Sequence, residues 1–378
     1  MDHRPLSAIV LAAGEGTRMR SSTPKPLHRL CGRPMVLYVI DALAELNVDR
    51  VVVVVGTGAT ELTKTIQAEA PQELSIEFVE QPERHGTGDA VAIALTGLFG
   101  SYGPADFDEG DVIVVPGDIP LLRRATLSTL VEGHRANAGA ATLLTASMGQ
   151  LSALMGQPAD YSRVIRDKDG RVARIVDVPE ATDNERAIDE VATTVYCFRQ
   201  GVLAPALRRL WPDNSLGEYY LSDTVGVLHD AGYAVSTVAA PDPVEALEVN
   251  DRAQLSDAEA HLRARINRRW MRRGVTMTDP ASTYLDATVR LEADVTLLPG
   301  VILEGRTTVA TGAVLGPSVH LVDCEVASGA VLSHAVGSHA VIGEGCAVGP
   351  YVVLEKGTRL APGERLGPFF GPEVGHTG

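Results

Sequence analysis

Beyond about Thr276 one spacing governs the chain: a small or aliphatic residue recurs at every sixth place, with turn-forming residues between. Val289, Val295, Val301, Thr307, Ala313 and Val319 share one register. After a one-residue deletion, Cys324, Ala330, Val336, Ile342, Val348, Leu354, Leu360 and Leu366 share a second, and Gly337, Gly343, Gly349 and Gly367 each follow one of these positions. Short strands stacked around a prism give this period, so the spacing predicts a parallel β-helix. Helices of this hexapeptide type are left-handed and commonly trimerise, which makes a homotrimer the expectation by analogy.

The preceding sequence obeys another rule. At 378 residues the chain exceeds the length over which one core usually grows, so two domains are expected. From Ser7 to about Leu144, Val/Ile-rich runs alternate with helix-period segments, the pattern of a mostly parallel sheet covered by helices. Strands are predicted at Ser7–Leu11, Arg50–Val55, Ile76–Glu80, Asp111–Val115 and Ala140–Leu144. Helices are predicted near Met35–Glu45, Thr60–Glu69, Gly88–Leu98 and Arg124–Arg135. Ligands of such sheets bind at the carboxyl ends of strands, which directs attention to the loops after Leu11, Glu80 and Val115. Between Asp251 and Gly274 an amphipathic helix is expected, with Ser256–Glu259 reading as a capping box and Leu255, Leu262, Ile266 and Trp270 on one face. The arginines of its last turns, from Arg263 to Arg273, read as a solvated face at the negative end of the helix dipole. The expected division is an α/β domain at 1–250, a helical arm at 251–274 and the β-helix at 275–378.

Several partner classes fit poorly. Lys plus Arg total 33 against 48 Asp plus Glu, and a net charge of -15 repels a nucleic-acid backbone. The longest apolar runs, such as Arg50–Val55, have strand length and fall short of a membrane span. The first residues carry no secretory pattern, so a cytoplasmic location is expected. Cys31, Cys197, Cys324 and Cys346 form no Cys-x-x-Cys pair and read as buried thiols.

Immediately after the first strand comes Leu11-Ala12-Ala13-Gly14-Glu15-Gly16-Thr17-Arg18, followed by Lys25. Glycines at 14 and 16 let backbone N–H groups approach phosphate oxygens, and Arg18 and Lys25 add fixed positive charge. The loop is neither a Walker loop nor a dinucleotide fingerprint, since it lacks the Gly-Lys-Ser/Thr and the third glycine.

The run from Leu11 to His28, with Gly86-Thr87-Gly88, Gly117-Asp118, Gly217–Asp223 and Glu248-Val249-Asn250, resembles the bacterial bifunctional N-acetylglucosamine-1-phosphate uridylyltransferase/glucosamine-1-phosphate acetyltransferase family. The resemblance runs in the same order over nearly the whole chain. It implies a Rossmann-like nucleotidyltransferase domain followed by a left-handed β-helix, with a nucleoside triphosphate and a sugar 1-phosphate as substrates and Mg2+ as cofactor. By the same resemblance Leu11, Ala13, Gly14, Gly16, Gly86 and Thr87 meet the nucleotide, and Arg18 and Lys25 act on the triphosphate. Gln81 reads the base with one amide donor and one acceptor. Asp118 and Asn250 hold the metal, and one carboxylate, one amide oxygen and substrate phosphates suffice for magnesium. Gly117, Ser162, Asp177, Ala192, Tyr220 and Ser222 fall at the sugar positions.

The family pattern is altered at the sugar. Asp160-Tyr161-Ser162-Arg163 replaces a Gly-Tyr-Gly-Arg, Asp177 a Glu, Pro179 a Lys and Ala192 a sugar-binding Asn; beside Gln81, Arg84 replaces a second Gln. A lost hydrogen-bonding partner changes which substituent a pocket accepts, so a changed sugar preference is expected. Glu355 stands where an Arg is expected and the sequence stops soon after Phe369-Phe370-Gly371, so acetyl transfer is expected to be absent. His320, His334, His339 and His376 read as solvated turn residues. The leading expectation is uridylyl transfer to a sugar 1-phosphate. Guanylyl or thymidylyl transfer to an unusual sugar, and a non-catalytic nucleotide-sugar-binding paralogue, stand beside it.

Overall fold

The computed structural model describes residues 4–99, 110–137, 139–155 and 161–368. It divides into two compact units, Met1–His28 with Pro34–Ala258, and Arg29–Arg33 with Glu259–Gly378. Asp160, Phe369 to Gly371 and His376 lie outside the described residues.

In the first unit the apolar runs become β1 (Leu6–Ala12), β2 (Arg50–Gly56), β3 (Ile76–Gln81) and β4 (Asp111–Pro116), with α1 (Met35–Glu45), α2 (Thr60–Glu69), α3 (Thr87–Phe99) and α4 (Arg124–Ala136) following them. β1 pairs in parallel with β2 and β4, and β2 with β3. A parallel strand covered on both faces has no solvent side, which is why β2 reads as five consecutive valines, Val51 to Val55, all buried. Alternate residues then serve opposite layers. Ile9, Val52, Val54, Val112 and Val114 pack with Val91, Ala94 and Leu98 of α3. Val10, Val51, Val53 and Val115 pack with Leu37, Ile40 and Leu127 of α1 and α4. Each such side chain contributes about 1.5–3 kcal/mol on leaving water.

The later part of this unit holds β5 (Ala141–Ser147), where the strand predicted at Ala140–Leu144 falls, and elements that the alternation left unread: α5 (Met148–Met155), β6 (Arg163–Arg166), β7 (Val172–Val176), β8 (Glu190–Arg199), α6 (Gln200–Leu207), α7 (Asp223–Asp230) and β9 (Val235–Ala239). The sheet runs β9-β5-β8-β4-β1-β2-β3, with β8 antiparallel to both neighbours and β6 and β7 attached at its edge. The register of β8 against β5 shifts between Ala192 and Tyr196, and Thr194 there has φ 56°, a left-handed conformation unusual for a β-branched residue.

α8 spans Arg252–Met271, and Gly274 beyond it has φ 95°. It starts one turn earlier than Ser256–Glu259 suggests, because Asp251 caps it: its Oδ1 accepts from Gln254 N at 2.8 Å. Ser256 and Glu259 therefore sit inside the helix, and Ser256 is exposed. Leu262, Ile266 and Trp270 are buried as expected.

In the second unit, among the described residues, strands of two to four residues form three parallel sheets of six, five and five strands, the left-handed β-helix that the repeat implies. Successive strands and the residue before each bury pairs of side chains two residues apart, such as Val289 and Leu291, Val295 and Leu297, and Val301 and Leu303. The register read from the sequence holds through Ala330 and then needs correction. Two further one-residue shortenings place Ala335, Ala340, Cys346 and Val352 at the first buried position. Val336, assigned inward by its spacing, is 50% exposed, and Gly337 pairs inward with Leu321. The aliphatic residues at 342, 348, 354 and 360 are buried, but at the second position of each coil. All four cysteines are buried and free, and burial pushes the Cys31 thiol up to about 12.

Candidate active site

Loops leaving the carboxyl ends of β1, β3 and β4 line one cleft of about 420 Å³. Leu11, Ala13, Gly14, Gly16, Arg18, Lys25, Gln81, Gly86, Thr87, Gly117, Asp118 and Asn250 all line it. Ser162, Asp177, Ala192, Tyr220 and Ser222 do not.

The glycine loop is built to leave donors open. Among the described residues the backbone N–H groups from Gly14 to Arg18 make no bond within the protein, and a side chain grafted on Gly14 would meet nothing within 4 Å. Gly16 has a different reason: its φ is 64°, and a Cβ there would stand 2.6 Å from Lys25 Cβ. That close approach lets the loop fold over Lys25. Arg18 is exposed on the short helix that follows, at the rim of the cleft.

Lys25 reaches across the floor. Its Nζ donates to Asp118 Oδ2 and, at 2.7 Å, to Asn250 Oδ1. Asp118 Oδ1 is buried without a hydrogen-bond partner, a costly position for a carboxylate oxygen. An unfilled acceptor beside an amide oxygen fits a hard cation. No group of three or more His, Cys, Asp or Glu side chains among the described residues converges as a metal cage, so a cation here depends on substrate oxygens, as magnesium commonly does.

Glu248, quoted in the motif but given no role from the sequence, belongs to the same floor. Thr194 Oγ1 donates to its Oε1 at 3.3 Å. Burial, then the Asp118 carboxylate, pushes its pKa up, while Lys25 pulls it down. The segment is tied by Tyr161, whose hydroxyl donates to Ala246 O at 3.0 Å and accepts from Glu248 N at 3.2 Å. Thr194 left no readable signal, since its place depends on the β8 bulge.

On the side expected to meet the base, Gln81 is 4% exposed, and its Nε2 donates to Asp89 Oδ2 at 2.8 Å and Gly86 O at 3.2 Å. The expected donor-plus-acceptor role is thus narrowed, because both amide hydrogens stay within the protein. Gly86 has φ 104°, and a Cβ there would lie 2.4 Å from Tyr219 O. Thr87 Oγ1 accepts from Leu221 N at 2.9 Å, so it offers the cleft its backbone. Arg84 donates to Ala13 O at 3.2 Å and pairs with Glu15 at 3.0 Å.

Of the expected sugar residues, Gly117 lines the cleft and the other five fall outside its lining. Ser162 Oγ donates to Asp177 Oδ1. Asp177 and Glu180 also act on Tyr220, pushed up to about 12 by burial and then by Glu218, and on Asp223, pushed up to about 6, first by burial. Ala192 is 5% exposed and packs within the core. In the second unit His320 meets Glu304 at 2.7 Å, His334 lies 5.6 Å from the Tyr351 ring and His339 is 3.9 Å from Asp323. Arg263 stands over the Tyr284 ring at 4.3 Å. Among the described residues no helix is long and apolar enough to cross a membrane.

Residues 8–219 match the family model of the MobA-like NTP transferase domain. The chain is 44% identical over 365 residues to the bifunctional protein GlmU of Kineococcus radiotolerans, covering 97% of this chain and 71% of that one. It is 40% identical over 364 residues to the bifunctional protein GlmU of Brevibacillus brevis, covering 96% and 75%. It is likewise 40% identical over 367 residues to that of Streptomyces coelicolor, covering 97% and 73%.

Proposed function

This chain belongs to the family of the bifunctional GlmU proteins, and from that premise we propose that it transfers the uridylyl group of UTP to a sugar 1-phosphate, releasing pyrophosphate. The observation that carries the reading is the convergence of Lys25, Asp118 and Asn250 on the floor of a cleft roofed by open backbone donors.

The chemistry asks little of side chains. A sugar phosphate oxygen is already ionised near neutral pH and attacks the α-phosphorus as the bond to pyrophosphate breaks, so no general base is needed. The Gly14 to Arg18 amides cradle the triphosphate, and Arg18 and Lys25 neutralise the charge that moves onto the departing pyrophosphate. Asp118 and Asn250 would hold Mg2+, which supplies further neutralisation of phosphate charge when bound. Uracil offers a ring N–H for Gln81 to receive.

The sugar in this reading is not N-acetylglucosamine. Ala192 offers no hydrogen bond, and carboxylates at Asp177, Glu180 and Asp223 surround Tyr220. We assign acetyl transfer to none of the described coil residues, since Glu355 stands where the family pattern has an Arg; turnover of acetyl-coenzyme A would contradict that part. In this reading the coils serve as a trimerisation module and the protein acts in the cytoplasm, where nucleoside triphosphates are available.

The test is pyrophosphate release in Mg2+ with each common nucleoside triphosphate and a panel of sugar 1-phosphates. The reading requires release that depends on both UTP and one sugar 1-phosphate. Binding of UTP with no release across the panel would favour a sensor of nucleotide sugars.

A further inference from the structure

Gln81 sits at the end of β3, buried but for one side of the cleft. A primary amide is ambiguous by itself, since rotation by half a turn exchanges its donor for its acceptor. Here the neighbours remove the ambiguity. Gly86 O and Asp89 Oδ2 are both acceptors, and both take hydrogens from Gln81 Nε2, at 3.2 and 2.8 Å. The reversed amide would set its oxygen against a carbonyl and a carboxylate. Among the described residues nothing donates to Gln81 Oε1, which leaves the acceptor end for the ligand.

Asp89 is itself fixed, lying in the first turn of α3, where a carboxylate is favoured by the helix dipole. We infer that Asp89 is a positioning residue for base selection: it holds the Gln81 amide with its oxygen toward the base, so that the cleft accepts bases with a hydrogen on the ring nitrogen of their pairing edge. Uracil N3–H meets the requirement. Cytosine presents an unprotonated N3 at the corresponding place and would face the Gln81 oxygen lone pair to lone pair. Asp89 does not touch the nucleotide in this account, and its effect runs through Gln81. The inference deepens the uridylyl reading and rests on it.

Equilibrium binding of UTP, CTP and N3-methyl-UTP is measured by calorimetry on the full chain, together with kcat and KM for the nucleotides that turn over. The proteins are wild type, Asp89→Asn and Asp89→Ala. Wild type is expected to bind UTP far more tightly than the other two. In Asp89→Ala only Gly86 O still orients the amide, and in Asp89→Asn a side-chain amide can pair with Gln81 either way round, so the UTP-to-CTP affinity ratio falls by about 10-fold or more, through weaker UTP and stronger CTP binding. The change appears in KM with kcat for UTP less affected. A merely structural role would weaken both nucleotides alike and leave the ratio in place, as would a role confined to capping α3. An unchanged ratio in two folded variants overturns the Asp89 assignment while the uridylyl reading stands. Wild-type protein that prefers CTP overturns both.

Discussion

Gly16 shows how closely the glycine loop is drawn around Lys25. Gly16→Ala adds a Cβ 2.6 Å from Lys25 Cβ at a left-handed φ of 64°, so we expect about 1–3 kcal/mol of destabilisation in urea unfolding, with UTP affinity reduced as Lys25 is displaced. Asp118→Ala removes the carboxylate with the unpartnered oxygen; turnover should drop by about 100-fold or more while circular dichroism is unchanged, and an unaltered rate would refute the metal assignment. Asp223 supplies a pH test. Its pKa is pushed up to about 6, so between the ordinary carboxylate range near about 4 and that value the folded chain keeps a proton that the unfolded chain has lost. Stability therefore falls as pH rises through that window and levels off above it. Asp223→Asn lacks this loss, and its unfolding free energy should gain on wild type across the window by about 1 kcal/mol once partial exposure is allowed for, seen as a melting-temperature difference that grows with pH. A constant offset at every pH would contradict the shift. The residues legible in the sequence were those in contiguous motifs, Gly14 to Lys25 among them. Thr194 and the pairing of Asp89 with Gln81 depend on a bulge and on a helix start, which spacing does not encode.

Among elements, β1, β2 and β4 were legible because each is an apolar run buried along nearly its whole length, while β3, a half-buried strand at the sheet edge, was legible from Ile76, Phe78 and Val79. β8 was not, since an antiparallel insertion leaves no mark distinct from other buried strands. Local signals also competed at α8: Ser256–Glu259 has the form of a capping box, yet Asp251 caps first and lengthens the helix by a turn. In the β-helix the six-residue period survived as a pattern while its register slipped, because a coil shortened at a turn still places an aliphatic residue two positions later. The segment that carries Asn250 is held by Tyr161 through two backbone groups. Tyr161→Phe should cost about 1–2 kcal/mol in unfolding and raise the Mg2+ concentration for half-maximal activity severalfold, because Asn250 is less well placed. An identical magnesium dependence would show that the hydroxyl only stabilises.

For the whole molecule, the repeat alone argued for an oligomer, and the described coils carry exposed Tyr284, Val336 and Val353 at outward positions of one sheet. Sedimentation equilibrium should give three times the 40.0 kDa chain mass, and a monomer at micromolar concentration would remove the trimer from the proposal. The central claim concerns chemistry, and pyrophosphate release tests it most directly. With Mg2+, UTP and a panel of sugar 1-phosphates, the account requires release that vanishes when either substrate is withheld and that is stronger with UTP than with CTP. Release independent of the sugar phosphate, or a folded protein that binds UTP and is silent with every sugar, would contradict it.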